Sequence, residues 1–297
     1  MNDILTKSIA AALAIAALCL SAPSSAQPLV SKTRNPKFDE AVPIERFAAI
    51  RTDASTVATK PQLENGEVVN KRDFPAILSK EPDFSCTAAL VGPATMLTAA
   101  HCINSTRDIE LFFGINGVKA KCVVAPEYAT DVTVDLSLCV LEYDVTGINY
   151  ETVDQSVPPA AATEVTLVGY GCQVMGGNRD GNLRIGTSTV VDFPKTKIFS
   201  IPASWSAYIF TKSDISVPGN ATLCPGDSGG PMYRGTLRDQ RKIIGVNSRT
   251  TYGEGGDGVS LFSSVGTKEA KSFFNAFINT YGASICGVNR IAGCQQG

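Results

Sequence analysis

The sequence predicts an all-β fold closed by a single amphipathic helix. Three observations carry this. From about Leu63 the chain is a series of short strand-like runs: PAILS, CTAALV, ATMLTAA, IELFFGI, KAKCVVA, LSLCVLE, EVTLVGYG and KIIGVN. Turn signals such as Asn65-Gly66, Gly176-Gly177-Asn178 and Gly255-Gly256 separate them, and many short strands with such turns indicate a sandwich or barrel. The one exception comes near the end, in KEAKSFFNAFINTYG. There Phe273, Phe277 and Tyr281, with Phe274 and Ile278, recur at helical spacing, and Gly282 is placed to cap the helix.

Composition narrows the function. The 297 residues are 44% hydrophobic and 18% charged, which fits a folded core rather than a disordered chain. A formal charge of -2 excludes a strongly basic nucleic-acid binder, so no nucleic-acid partner is expected. The chain holds 1 histidine. Multi-histidine metal sites are thereby excluded, and acid–base chemistry near neutral pH falls on His101. No metal or organic cofactor is expected, and Asp257 in EGGDG reads as a loop tip rather than a calcium ligand.

Residues 1–26 read as a secretory signal peptide. Lys7 precedes an apolar run from Ser8 to Leu20, too short to span a bilayer, and Ser24-Ser25-Ala26 supplies small residues before a cut. No other apolar run is long enough to anchor the chain in a membrane, so the expected location is secreted or periplasmic. Nine cysteines, less Cys19 in the leader, leave eight, an even number that suits four disulfides in an exported protein. Residues 27–62 are polar and lack strand alternation, and read as a propeptide or loosely packed extension. Residues 63–297 form the folded domain.

The chemistry concentrates in C-P-G-D-S-G-G-P, residues 224–231. Gly226, Gly229 and Gly230 make a tight turn around Ser228. Such a turn exposes the hydroxyl and lets backbone N–H groups converge as an oxyanion hole. A serine needs an adjacent base, and His101 in LTAAHC is the one histidine available. Gly226-Asp227-Ser228-Gly229-Gly230 also fits the nucleophile elbow of α/β-hydrolases, but that family runs Ser, acid, His. No histidine follows Ser228, so the order His, acid, Ser remains.

LTAAHC and CPGDSGGP, in this order and 127 positions apart from His101 to Ser228, resemble the two signature motifs of the chymotrypsin-like (trypsin-fold) serine proteases. GEVVNKRDFPAIL resembles the family's mature amino-terminal strand and LVGYG its glycine–aromatic–glycine strand. The resemblance covers roughly Leu63 to Gly282. It implies two six-stranded antiparallel β-barrels with a C-terminal α-helix, a zymogen, and protein or peptide substrates with proteinaceous inhibitors as further partners. It implies a triad of His101, Asp135 and Ser228, since VDLSLCVL resembles the family's aspartate motif; Asp131 is the alternative acid. Gly226 and Ser228 would form the oxyanion hole, and Ser248 in GVNS would bond the triad aspartate.

The same resemblance places Thr222 at the base of the primary specificity pocket, with Ser248, Thr250 and Gly258 along its wall. An uncharged Thr222 disfavours strict Lys/Arg cleavage. Arg249 stands where the family commonly has an aromatic residue. Asp227 would pair with a new α-amino group at Leu63 after activation. Cys86 and Cys102 match the family's bridge beside the histidine. Cys224 lacks its usual partner before Cys286, and Cys172 is the substitute; Cys122 and Cys139 can pair across neighbouring strands, and Cys286 with Cys294 closes the tail. Eight cysteines allow 105 connectivities, so these last three pairings stay open. Two other functions compete: a catalytically silent homologue acting as a binding protein, and an esterase on the same fold.

Overall fold

The computed structural model describes residues 28–40, 63, 66–103, 111–114, 117–172, 177–193, 203–214, 220–235, 241–252, 257–290 and 292–295. The leader, the 41–62 stretch, Glu64 and Asn65, and Gly255-Gly256 lie outside these residues.

Two strands precede the main body, β1 (Leu29–Arg34) and β2 (Glu67–Val68), with the short helix α1 (Pro36–Glu40) between them. The first half of the domain then supplies β3 (Ile77–Ser79), β4 (Thr87–Gly92), β5 (Thr95–Thr98), β6 (Leu111–Phe112), β7 (Lys119–Val124) and β8 (Ser137–Leu141). These pair in the order β3-β4-β5-β8-β7-β6. A bridge between Lys80 and Phe113, and the bond from Gly114 N–H to the Ser79 carbonyl at 2.9 Å, join β6 back to β3. The sheet is a closed six-stranded barrel, which removes its edges.

Two short strands, β9 (Tyr143–Thr146) and β10 (Thr152–Val153), lead into the second half. There follow β11 (Glu164–Gly169), β12 (Arg184–Val191), β13 (Ile209–Asp214), β14 (Pro231–Arg234), β15 (Lys242–Tyr252) and β16 (Asp257–Ser264). Their order is β15-β14-β11-β12-β13-β16, and β16 pairs again with β15, so this barrel also closes on six strands. β2 and β10 add to it at β12 and β15. Asp257 opens β16 rather than sitting at a loop tip.

Helix α2 (Lys268–Tyr281) runs where the periodicity predicts it. Thr267 caps its start by accepting the Ala270 N–H, and Gly282 ends it at φ 62°, a left-handed conformation that glycine adopts without steric cost. Phe273, Phe274 and Phe277 bury their rings in the core of the first barrel.

The amino-terminal segment departs from the expected loose packing. β1 pairs antiparallel with β9. Phe38 on α1 is fully buried in the first barrel's core, with Lys121 Nζ 4.6 Å and the Arg34 guanidinium 5.4 Å from its ring centroid. One aromatic anchor in an otherwise polar stretch leaves no periodic signal, which is why the segment reads as unpacked. Phe38→Ala should therefore cost about 3–5 kcal/mol in urea unfolding, the range for emptying a buried phenylalanine site. A change near zero would mean the segment contributes nothing to the folded body.

Candidate active site

The site forms where the turn of residues 224–230 from the second barrel meets the start of β4 in the first. The Thr87 N–H donates to the Ser228 carbonyl at 2.7 Å, and Thr87 Oγ1 donates to the Gly226 carbonyl at 2.8 Å. Gly229 is essential to this approach. It has φ +83°, and a Cβ there would lie 2.1 Å from Thr98 Oγ1 and 2.3 Å from the Thr87 carbonyl. Gly226 is also left-handed, at φ +108°. Among the described residues the N–H groups of Gly226 and Ser228 make no backbone hydrogen bond.

His101 sits in a short 3-10 turn, residues Ala100–Ile103, directly after β5. The Cys86–Cys102 disulfide ties this turn to the chain entering β4, and Cys102 Sγ lies 3.5 Å from the Ser228 carbonyl oxygen. The bridge sets the histidine turn beside Thr87, whose N–H bonds the Ser228 carbonyl. Both sulfurs lie close to the His101 ring, but as disulfide sulfurs they are not thiolate metal ligands.

Asp135, fully buried just before β8, holds His101 at two points. Its Oδ1 accepts the His101 backbone N–H at 2.9 Å, and its Oδ2 lies 2.6 Å from Nδ1. Ser248 Oγ donates to the same Oδ2 at 2.5 Å. Burial pushes the Asp135 carboxyl up, but the His101 charge and these hydrogen bonds outweigh it and hold its pKa below the usual carboxylate range. Asp131 makes a local turn instead, accepting the Thr133 N–H at 2.9 Å and its hydroxyl at 2.7 Å.

Several contributors have no sequence signature. Ser263 Oγ accepts the Asp135 N–H at 3.0 Å and donates to the Thr133 carbonyl at 2.8 Å. Tyr208 Oη donates to the Val132 carbonyl and lies 3.3 Å from Ser248 Oγ. Single serines and tyrosines announce nothing; they matter here because the turn entering β13 and strand β16 bring them to the aspartate.

Asp227 is fully buried behind the nucleophile turn. Its oxygens accept the N–H groups of Gly171 and Cys224, each at 2.8 Å, and no ion pair to it occurs among the described residues. Burial pushes its pKa up to about 7, against the lowering from those bonds and the Arg184 charge. The GYG glycines are explained by this carboxyl: a Cβ on Gly169 would lie 2.2 Å from Asp227 Oδ1, and one on Gly171 would lie 2.4 Å from its Cγ. Leu63 is buried in the core of the second barrel.

The Thr222 hydroxyl is buried and has no hydrogen-bond partner among the described residues. The next residue, Leu223, donates its N–H to Ser260 Oγ at 3.0 Å. Ser260 is the register partner of Thr250, and Gly258 shares its face of β16. Thr222, Thr250 and Gly258 thus belong to one neighbourhood. The four disulfides are Cys86–Cys102, Cys122–Cys139, Cys172–Cys224 and Cys286–Cys294. Cys122 and Cys139 are directly opposite on β7 and β8.

Two closed barrels meet where the Ser228 turn, the His101 turn and the buried Asp135 come together. The Trypsin family model matches residues 64–269, and the chain belongs to that family of serine proteases. It is 27% identical over 220 residues to mouse (Mus musculus) transmembrane protease serine 11E, covering 67% of this chain and 51% of that protein. It is 29% identical over 210 residues to a trypsin from Saccharopolyspora erythraea, covering 65% of this chain and 87% of the other. In fold it is similar to a mutant of human heparin binding protein, with a TM-score of 0.54, 18% identity, and coverage of 74% and 99% of the two chains. Among the described residues, no helix is long and apolar enough to cross a membrane.

Proposed function

We propose that this chain is a secreted serine endopeptidase that cleaves peptide bonds through an acyl-enzyme. The observation that carries the reading is the contact of His101 Nδ1 with the buried Asp135 carboxylate beside the Ser228 turn. A proton on Nδ1 facing that carboxylate leaves Nε2 as the base. His101 takes the proton of Ser228 Oγ as it attacks the substrate carbonyl, and the N–H groups of Gly226 and Ser228 hold the oxyanion. The imidazolium, stabilised by Asp135, then protonates the leaving amine. Water repeats the sequence to release the acyl group. Export is supported by the leader-like residues 1–26 and the four disulfides.

The enzyme is made as a zymogen, with residues 27–62 as the pro-segment and a cut before Leu63. Asp227, uncommitted to any ion pair among the described residues, is the partner for the new α-amino group. Ser228 and the pocket become competent when that pair forms.

Thr222 sets a preference for uncharged, small or medium side chains before the scissile bond. Burying a Lys or Arg beside it would leave a charge without a carboxylate. A peptide-library cleavage profile tests both parts of the proposal. The expected result is cleavage after small or medium uncharged residues. A profile dominated by Lys or Arg would refute the pocket assignment, and turnover of esters without peptides would refute the endopeptidase reading.

A further inference from the structure

Arg249 is the residue that departs most from its surroundings at the site. It follows Ser248, and the register between β15 and β16 shifts between Asn247 and Arg249. A bulge of this kind breaks the alternation of side chains, so consecutive residues can face the same way. Both do so here: Ser248 Oγ lies 3.3 Å from Tyr208 Oη, and Arg249 Nε donates to that same oxygen at 3.1 Å. An Arg249 terminal nitrogen donates to Tyr128 Oη at 3.3 Å, and the guanidinium stands 5.5 Å from the Trp205 ring centroid. Three aromatic side chains from two segments, Tyr128 from one and Trp205 with Tyr208 from the other, therefore hold one cation beside the Ser248–Asp135 pair.

The buried Asp135 charge acts on the guanidinium from nearby and favours its protonated form. Burial keeps the Tyr208 and Tyr128 hydroxyls protonated, with the Tyr128 pKa pushed up to about 12, so both are neutral acceptors. Among the described residues no carboxylate makes an ion pair with Arg249. The Asp135 oxygens are already engaged by His101 and Ser248. A guanidinium carries five N–H donors. The residue is only partly buried, and two of its donors are used by the tyrosines. Held by a cation–π contact and two hydrogen bonds, the planar fork is preorganised for a carboxylate.

Its place along β15 says which part of the substrate it meets. Ser248 on one side touches Asp135, and Thr250 on the other belongs to the proposed specificity pocket. Arg249 thus lies on the acyl side of the scissile bond. We propose that Arg249 is a specificity-determining residue that binds a substrate Asp or Glu side chain preceding the residue seated in the pocket. This rests on the endopeptidase reading above for the direction of the substrate, but binding can be measured without turnover.

The test uses the processed form, beginning at Leu63, of the protein carrying Ser228→Ala, with fluorescein-labelled peptides that have Ala at the pocket position. Glu or Gln is placed in turn at each of the three preceding positions, and Kd is read by fluorescence anisotropy. At one position at least, Glu should bind about tenfold tighter than Gln at low salt, and the ratio should shrink as salt rises. Arg249→Gln should bring that ratio close to one, and Arg249→Lys, which keeps the charge, should retain part of it. A purely structural role for Arg249 would weaken both peptides alike and leave the ratio unchanged. That result, or equal binding of Glu and Gln peptides by the Arg249 protein, would overturn the proposal. Fluorophosphonate labelling of the protein with Ser228 intact reports separately on the catalytic reading.

Discussion

Ser228→Ala and His101→Ala should each lower kcat on a peptide substrate by about 10⁶, and Asp135→Asn by about 10⁴, magnitudes carried over from other triad hydrolases, this family included. The aspartate effect follows from the bonding at this site. Three donors converge on the two Asp135 oxygens: the His101 backbone N–H, the His101 ring and the Ser248 hydroxyl. An asparagine has one carbonyl oxygen for them. If that oxygen keeps the backbone N–H, its NH₂ faces Nδ1 and selects the tautomer protonated on Nε2. The base towards Ser228 is then lost while the fold remains. Steady-state kinetics with active-site titration checks the series, and near-native turnover by His101→Ala would contradict the mechanism.

In the processed enzyme, Asp227→Asn should lower activity by about two orders of magnitude while leaving the fold intact. The estimate is the usual cost of losing an oxyanion-hole donor, because the Asp227 pair is what organises that turn. The uncut form carries a second, thermodynamic signature. Its Asp227 pKa stands at about 7, raised by burial from 3.8. The folded state therefore binds this proton more tightly than the unfolded chain. The resulting stability is fully present below about pH 4 and is lost as pH rises through about 7. Asp227→Asn should remove that decline, read as the slope of Tm against pH between 4 and 7. After the cut, a positive α-amino group beside the carboxyl reverses the balance, favours the anion and releases a proton near neutrality. Amino-terminal sequencing of active enzyme should return Leu63 or a residue within a few positions. A start at Gln27 would contradict the activation scheme.

Legibility differed between the barrels. The first barrel's strands show as apolar runs because LSLCV and TAALVG are covered on both faces, and every residue of β4 and β8 is buried. In the second barrel, β12, β13 and β14 escape such a reading. β12 and β13 carry Ser188, Thr211 and Ser213, and their neighbour β16 carries Ser260, all hydroxyl residues that look solvent-facing in sequence but are buried. Ser213 and Ser260 bond each other at 2.9 Å, which satisfies their polarity inside. Gly186 further weakens the strand signal of β12, yet a Cβ there would lie 2.5 Å from the Ala221 Cβ.

The candidate site divides in the same way. Ser228, His101 and Asp135 lie in dense motifs, where small residues and a cysteine mark the local constraint. The groups that hold Asp135 and Arg249 come from three separate segments: Tyr128, Trp205 with Tyr208, and Ser263. Their roles arise from barrel closure, which no local spacing encodes. Phe38 belongs with them, since one buried ring decides the position of a segment whose composition is otherwise polar.

The central claim is that Ser228 is an activated nucleophile. Reaction of the processed protein with an organofluorophosphonate, followed by peptide mass mapping, tests it most directly. The account predicts one stoichiometric adduct on Ser228, absent in His101→Ala. Unmodified Ser228 in a processed, folded protein, or equal labelling when His101 is removed, would contradict it.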